Sequence, residues 1–226
     1  MQQGIVHQTG LIAHGRGEAF DYLFGEVTIP LADRAAKVGA AALLCAKNPV
    51  ISVNGNVAAL AADSCVQLAN SVPAKLEVNL FHRTQIRVKK ISTVLRKNGA
   101  KVVYGIHPNA KIPMLSSDRA LCEKEGIFTA DVVLVPLEDG DRCEALRRMN
   151  KTVVAVDLNP LSRTAQAATI TIVDNVSRAI PRIDYWVHEL KHMEKSELVA
   201  LLKNWDNTKN LRSVLSFLSK RLNSLA

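Results

Sequence analysis

Asp157, Asn159, Ser162, Arg163 and Thr164 place a carboxylate, an amide, two hydroxyls and a guanidinium within one short stretch of this sequence. A guanidinium stays charged and grips an oxyanion through two donors, so such a set suits a phosphorylated or carboxylated ligand. On either side lie apolar, β-branched runs, residues 152–156 and 169–173, each too short for a helix and bounded by turn formers. Both read as buried strands. The polar cluster therefore stands just beyond the carboxyl end of a strand, where open α/β sheets hold their ligands.

Three further groups have similar character. Arg16 lies between Gly15 and Gly17, next to His14, and the two glycines allow a sharp turn and close approach to a ligand before a short helix over 18–24, stopped by Gly25. The plainer alternative is a helix entry in which Arg16 pairs with Glu18 or Asp21. Asn54, Gly55 and Asn56 join an apolar run, 50–53, to a helical pattern, 57–70, and such a turn offers free N–H groups to an anion unless Gly55 merely makes the bend. It lacks both the phosphate-loop lysine and the full dinucleotide fingerprint. After the run 131–135 come Glu138, Asp139, Asp141 and Arg142 around Gly140. Asp141 suits the N-cap of a helix over 143–149, and the other acids suit an ammonium group or a metal ion.

The elements needed to position these groups follow from hydrophobic periodicity. Strands are expected at 50–53, 75–80, 101–104, 131–135, 152–156 and 169–173. Helices are expected at 29–45, 57–70, 84–98, 143–149, 177–193 with an interruption at Pro181, 196–204 and 211–225. Alternation of this kind predicts an α/β fold: one domain over residues 1–226 with a Rossmann-like, mostly parallel sheet and flanking helices. Its helical C-terminal region, 177–226, packs on that domain or on a dimer partner. Residues 107–129 lack periodicity and contain two prolines, which suggests a lid or a dimer arm.

Composition narrows the function. The 226 residues are 48% hydrophobic and only 4% aromatic, which suits helices on a parallel sheet. The formal charge is +8, half of it in residues 177–226, where the basic side chains are interleaved with acids. That pattern reads as solvated surface, and with few aromatic residues for stacking no nucleic-acid partner is expected. Cys45, Cys65, Cys122 and Cys143 show no metal-ligand spacing and read as free thiols of a cytoplasmic protein. The longest apolar run falls far short of the ~20 residues that cross a bilayer, so no membrane role is expected.

The motifs GLIAHGRGEAFDYL (10–23), NPVISVNGNVAAL (48–60), VPLEDGDR (135–142) and VDLNPLSR (156–163), in this order, resemble the archaeal phosphopantothenate synthetase (4-phosphopantoate–β-alanine ligase) family. The resemblance extends from Gly10 to the end of the chain. It implies ATP-dependent amide formation between 4-phosphopantoate and β-alanine in coenzyme A biosynthesis, through an acyl adenylate, in a homodimer. It also implies nucleotide contacts at Arg16, Asp157, Leu158, Asn159, Arg163, Thr164, Asn175 and Val176, with Arg16 and Arg163 meeting the charge that develops on the phosphates. Mg²⁺ is expected with the ATP. Apart from the resemblance, the residue types themselves assign the substrate subsite to His14, the turn Asn54, Gly55 and Asn56, and Glu138, Asp139, Asp141 and Arg142. Family members carry a further basic segment ahead of the equivalent of Gly10, with an arginine that contacts nucleotide. Supplying such a segment is expected to tighten ATP binding. A non-catalytic nucleotide-binding regulator of the same fold is the alternative reading.

Overall fold

Period-two alternation along the central strands sorts the core into two layers. In the computed structural model, which describes residues 1–137 and 139–225, Ile51, Val53, Leu134, Val154 and Val156 point into one layer, and Val50, Val133, Val135, Val153 and Ala155 into the other. In chain order the strands are β1 (Pro49–Val53), β2 (Lys75–Val78), β3 (Val103–Tyr104), β4 (Ala110–Lys111), β5 (Leu121–Cys122), β6 (Val132–Pro136), β7 (Thr152–Val156) and β8 (Ile170–Ile172). Six of them form a parallel sheet in the order β3-β2-β1-β6-β7-β8, while β4 and β5 pair antiparallel as a separate hairpin. The chain winds outward from β1 to β3, then from β6 to β8, and it reverses between β1 and β6. In a doubly wound sheet, that reversal leaves a crevice at the carboxyl ends of the strands.

The helices are α1 (Gln8–Phe24), α2 (Pro30–Cys45), α3 (Gly55–Leu60), α4 (Ala62–Ser71), α5 (Gln85–Lys97), α6 (Gly140–Arg148), α7 (Arg163–Ala167), α8 (Val176–Leu190), α9 (Lys195–Lys203) and α10 (Asn207–Leu225). Small residues of α2, among them Ala35, Ala36, Ala40 and Ala41, bring it close to the sheet and to α8. The C-terminal helices pack on this same body. Asn207 of α10 donates to the carbonyls of Ala165 and Ala168 and accepts from the Thr171 amide, and Leu211 and Val214 enter the core.

Several expected boundaries move. The expected helix over 57–70 is two helices, because Ala61, at φ −148 and ψ 31, leaves helical geometry between α3 and α4. Pro181 does not interrupt α8: lying early in the helix, it removes one backbone donor, and the helix runs on to Leu190. The strand expected over 101–104 is only Val103–Tyr104.

The aperiodic stretch 107–129 packs against the sheet as cover. Ile112, Ala120, Cys122 and Ile127 are fully buried and form the second core layer with β1, β6, β7 and α6. Its backbone polar groups are met by a buried carboxylate: Glu77 of β2 accepts from the amides of Glu123 at 2.9 Å and Ile127 at 2.6 Å. Burial raises that carboxyl to about 7, although both hydrogen bonds favour the charged form.

Candidate active site

Helices that begin beyond the carboxyl end of a sheet strand are capped by polar side chains, and three of these caps, Asn54, Asp139 and Ser162, line the site. Asn54 caps α3, Asp139 caps α6, Ser162 caps α7 and Asn175 caps α8. Beyond β1, β2, β6 and β7, over the reversal point, lies a cleft of ≈ 1040 Å³. Arg16, His14 and Gly17 line it from α1, together with the 54–56 turn, Asp139, Gly140, and Asp157, Leu158, Asn159, Arg163 and Thr164. Residues far apart in sequence thus share one cavity.

The expected glycine turn at Arg16 is absent. Gly15, Arg16 and Gly17 lie inside α1, which runs unbroken from Gln8 to Phe24 and ends at Gly25 in the left-handed conformation. Both ends of α1 are tied down. Near its start, Asn56 Nδ2 donates to the Gly10 carbonyl at 2.8 Å. Near its end, Asn175 Nδ2 donates to Glu18 at 2.8 Å and to Asp21 at 3.2 Å, while Arg178 bridges Asp21 and Asp174. Arg16 is exposed at the cleft and has no ion-pair partner among the described residues. His14 pairs with Glu18 at 3.1 Å.

The elbow after β7 is braced from within. Asp157 accepts from the Asn159 amide at 2.9 Å and from the Ser162 hydroxyl at 2.5 Å, and Asn159 Oδ1 accepts from the Leu161 amide at 2.9 Å. Desolvation raises the Asp157 carboxyl, and the Ser162 hydroxyl and the Asn159 amide pull it back down. Arg163 is bound by two acids of α6, Asp141 at 2.5 Å and Glu144 at 3.2 Å. Gly140 permits this contact, since a Cβ there would stand 2.5 Å from the Arg163 Cβ.

The 54–56 turn lines the cleft, and part of its hydrogen-bonding capacity is used within the fold. Asn54 Oδ1 accepts from the amides of Asn56 and Val57, both at 3.0 Å, so these N–H groups are already satisfied. Asn54 Nδ2 reaches across the reversal point to the Leu137 carbonyl at 2.8 Å. Gly55 is required because the Ile5 carbonyl occupies the space of its missing side chain.

Other assignments also shift. Asp139, not Asp141, is the N-cap of α6, accepting from the Arg142 amide at 2.9 Å. Arg142 is fully buried beneath the sheet ends, donates to Ser52 Oγ at 3.2 Å and stays off the cleft surface. Asp141, Asn175 and Val176 also stay off the cleft wall: Asp141 holds Arg163, Asn175 braces α1, and Val176 is core. Glu138 lies outside the described residues. Residues not anticipated from the sequence are His7, His82, Arg87 and Arg119, all on the cleft wall. Arg119, from the aperiodic stretch, is buried and sits 3.2 Å from Asp139, and burial lowers its guanidinium to about 10. The sequence FHR (81–83) at a strand end was the one local signal for this wall.

The cleft can receive an anionic ligand long enough to touch α1, the elbow and the β2–α5 corner. Comparison with known proteins agrees with a ligase site. A profile of the phosphopantothenate/pantothenate synthetase family matches residues 31–221. The chain is 52% identical to the 4-phosphopantoate–β-alanine ligases of Thermococcus onnurineus and Thermococcus kodakarensis, covering 100% of this chain and 87% of each relative. It is also 52% identical to that of Methanosarcina mazei, over 100% of this chain and 89% of the relative. With the match spanning most of the chain and including the cleft-lining motifs of the elbow, the protein belongs to the phosphopantothenate/pantothenate synthetase family.

Proposed function

We propose that this protein joins 4-phosphopantoate to β-alanine at the expense of ATP, forming 4-phosphopantothenate for coenzyme A biosynthesis. The observation that carries this reading is the 52% identity to ligases of that name across the whole chain. A carboxylate is a poor electrophile, so its oxygen first attacks the α-phosphate of ATP, releasing pyrophosphate. The amine of β-alanine then attacks the acyl carbon and expels AMP. ATP lies between α1 and the elbow, with Asp157, Leu158, Asn159 and Thr164 around the nucleoside. Arg16 meets the charge that grows on the phosphates, a role that stabilises the transition state more than the ground state. Asn175 and Val176 act through α1 and the start of α8 rather than by touching nucleotide. Among the described residues no group of three His, Cys, Asp or Glu side chains is arranged to hold a metal. Mg²⁺ would accompany the nucleotide phosphates and supply charge neutralisation there. The enzyme acts in the cytoplasm as a homodimer.

The test is product identity. With 4-phosphopantoate, β-alanine and ATP, AMP and pyrophosphate should accumulate with 4-phosphopantothenate, and labelled pyrophosphate should exchange into ATP before β-alanine is added. ADP and inorganic phosphate would replace the adenylate by an acyl phosphate. ATP binding with no turnover would favour the regulator.

A further inference from the structure

The family takes in synthetases of both phosphopantothenate and pantothenate, so membership alone leaves open what reads the phosphate of the acid substrate. In the turn expected to hold it, at 54–56, the Asn54 side chain already takes the amides of Asn56 and of the following Val57. At the other end of the cleft, the wall is cationic. His7, from the start of α1, and His82, beyond β2, stack with ring centroids 4.0 Å apart, and Arg87 of α5 stands beside them. The Arg87 guanidinium is fixed by two carbonyl oxygens, those of His82 and of Ile5, the latter at 2.9 Å. Carbonyls orient a guanidinium without cancelling its charge, and Arg87 has no ion pair among the described residues.

The acids of the described cleft wall lie elsewhere. Asp139 is engaged by Arg119 and by its capping role, and Asp157 by the elbow. The two stacked imidazoles and the guanidinium consequently face one another with no counter-charge from the wall. Burial, His82 and Arg87, in that order, lower the His7 pKa, the mark of a corner that disfavours more positive charge until an anion arrives. A phosphomonoester supplies that anion: it carries close to two charges near neutral pH and three acceptor oxygens.

We propose that His7, His82 and Arg87 form the subsite for the phosphate of 4-phosphopantoate and make the enzyme choose the phosphorylated acid over free pantoate. This rests on the ligase reading above. Substrate phosphate then sits at the β2–α5 corner, and its carboxylate points along the cleft toward Arg16 and the elbow, where ATP is attacked. The phosphate is a remote handle, and it acts through substrate binding and orientation.

The experiment is the ratio of kcat/KM for 4-phosphopantoate to that for pantoate, in wild type, in His82→Gln, in the double variant His7→Gln/His82→Gln, and in Arg87→Lys. His82 is exposed and outside the core, so its replacement leaves the fold intact even if Arg87→Lys, which loses the carbonyl fork, does not fold. Loss of one hydrogen bond to a charged group corresponds to roughly tenfold or more in affinity, so the ratio should fall by about that factor in His82→Gln and further in the double variant, and by less in Arg87→Lys, which keeps its charge and loses only the fork. The change should appear in KM for 4-phosphopantoate, with kcat retained. A wild-type ratio in the histidine variants, or a change in KM for ATP in place of 4-phosphopantoate, overturns the assignment. Failure of the wild type to make 4-phosphopantothenate overturns instead the ligase reading on which it rests.

Discussion

Arg16 and Arg163 enter the same cleft with opposite local surroundings. Arg163, at the first position of α7, is held by Asp141 and Glu144, and its guanidinium is pushed further toward the charged form by those hydrogen bonds. Arg16, in the middle of α1, has no acid bound to it, and the helix beneath it is tied at both ends. A guanidinium already engaged by two carboxylates must leave them to serve a phosphate, whereas one on a braced helix and without a partner is ready for the charge that develops. The two were equivalent as a pair of catalytic candidates in the sequence. In the structure their surroundings differ: Arg163 has two acid partners and Arg16 has none among the described residues.

The sharpest test of that difference is to compare the two alanine variants side by side. Arg16→Ala should reduce kcat for adenylate formation by roughly 10² to 10³, as loss of a preorganised donor to a developing oxyanion does. Arg163→Ala should cost only about tenfold, and Asp141→Asn, which leaves Glu144 as the one acid on Arg163, should not lower activity by more than that. Pyrophosphate exchange with 4-phosphopantoate alone reads the step directly. If Arg163→Ala were the more damaging of the two, Asp141 and Glu144 would be carriers that deliver the arginine, and the ranking would reverse.

A second, smaller effect distinguishes the rigid elbow from the helix. Ser162 both donates to Asp157 and caps α7, so Ser162→Ala should cost about 1 to 2 kcal/mol of stability. The loss should grow with pH. Burial already raises the Asp157 carboxyl above the ordinary carboxylate range, and the hydroxyl is one of two groups opposing that rise. A raised acid contributes stability that is fully present below its unfolded pKa and lost as pH rises through the folded one. Without the hydroxyl the folded pKa moves higher and the loss at neutral pH is larger. Chemical denaturation at pH 4 and pH 8 measures this, and equal destabilisation at both values would show that the hydroxyl acts on α7 alone.

What the sequence conveyed, and what it withheld, divides along the same line. Alternating apolar runs and helical stripes are local signals, and from them the parallel sheet, its flanking helices and the elbow at the end of β7 could all be read. The fate of several polar side chains is set by partners far away in sequence, such as Asp141 for Arg163 and Glu18 for Asn175. No local pattern announces these. The packing of segment 107–129 was hidden for a related reason: it rests on long-range partners, among them the buried Glu77 carboxylate on another strand, rather than on periodicity of its own. Arg119 and Arg87 reach the cleft by the same kind of long-range placement.

The glycines beside Arg16 carry the last test, and the smallest effect. A sharp turn would have explained them, but both lie within a helix, where glycine is a poor helix former. In the protein alone nothing demands them: a Cβ at Gly15 would meet no atom within 4 Å, and one at Gly17 would make ordinary contact with Leu158 at 3.8 Å. Gly15→Ala should therefore raise stability by about 0.5 to 1 kcal/mol, through a less flexible unfolded chain. If the triphosphate lies against the bare backbone of α1 next to Arg16, the same methyl must crowd it, and KM for ATP should rise while the thermal midpoint also rises. Opposite movement of stability and nucleotide affinity would place the ligand on this stretch of helix. A Gly15→Ala enzyme that is more stable and binds ATP as wild type does would leave the Arg16 side chain, and not the α1 backbone, as the helix's contribution to the site.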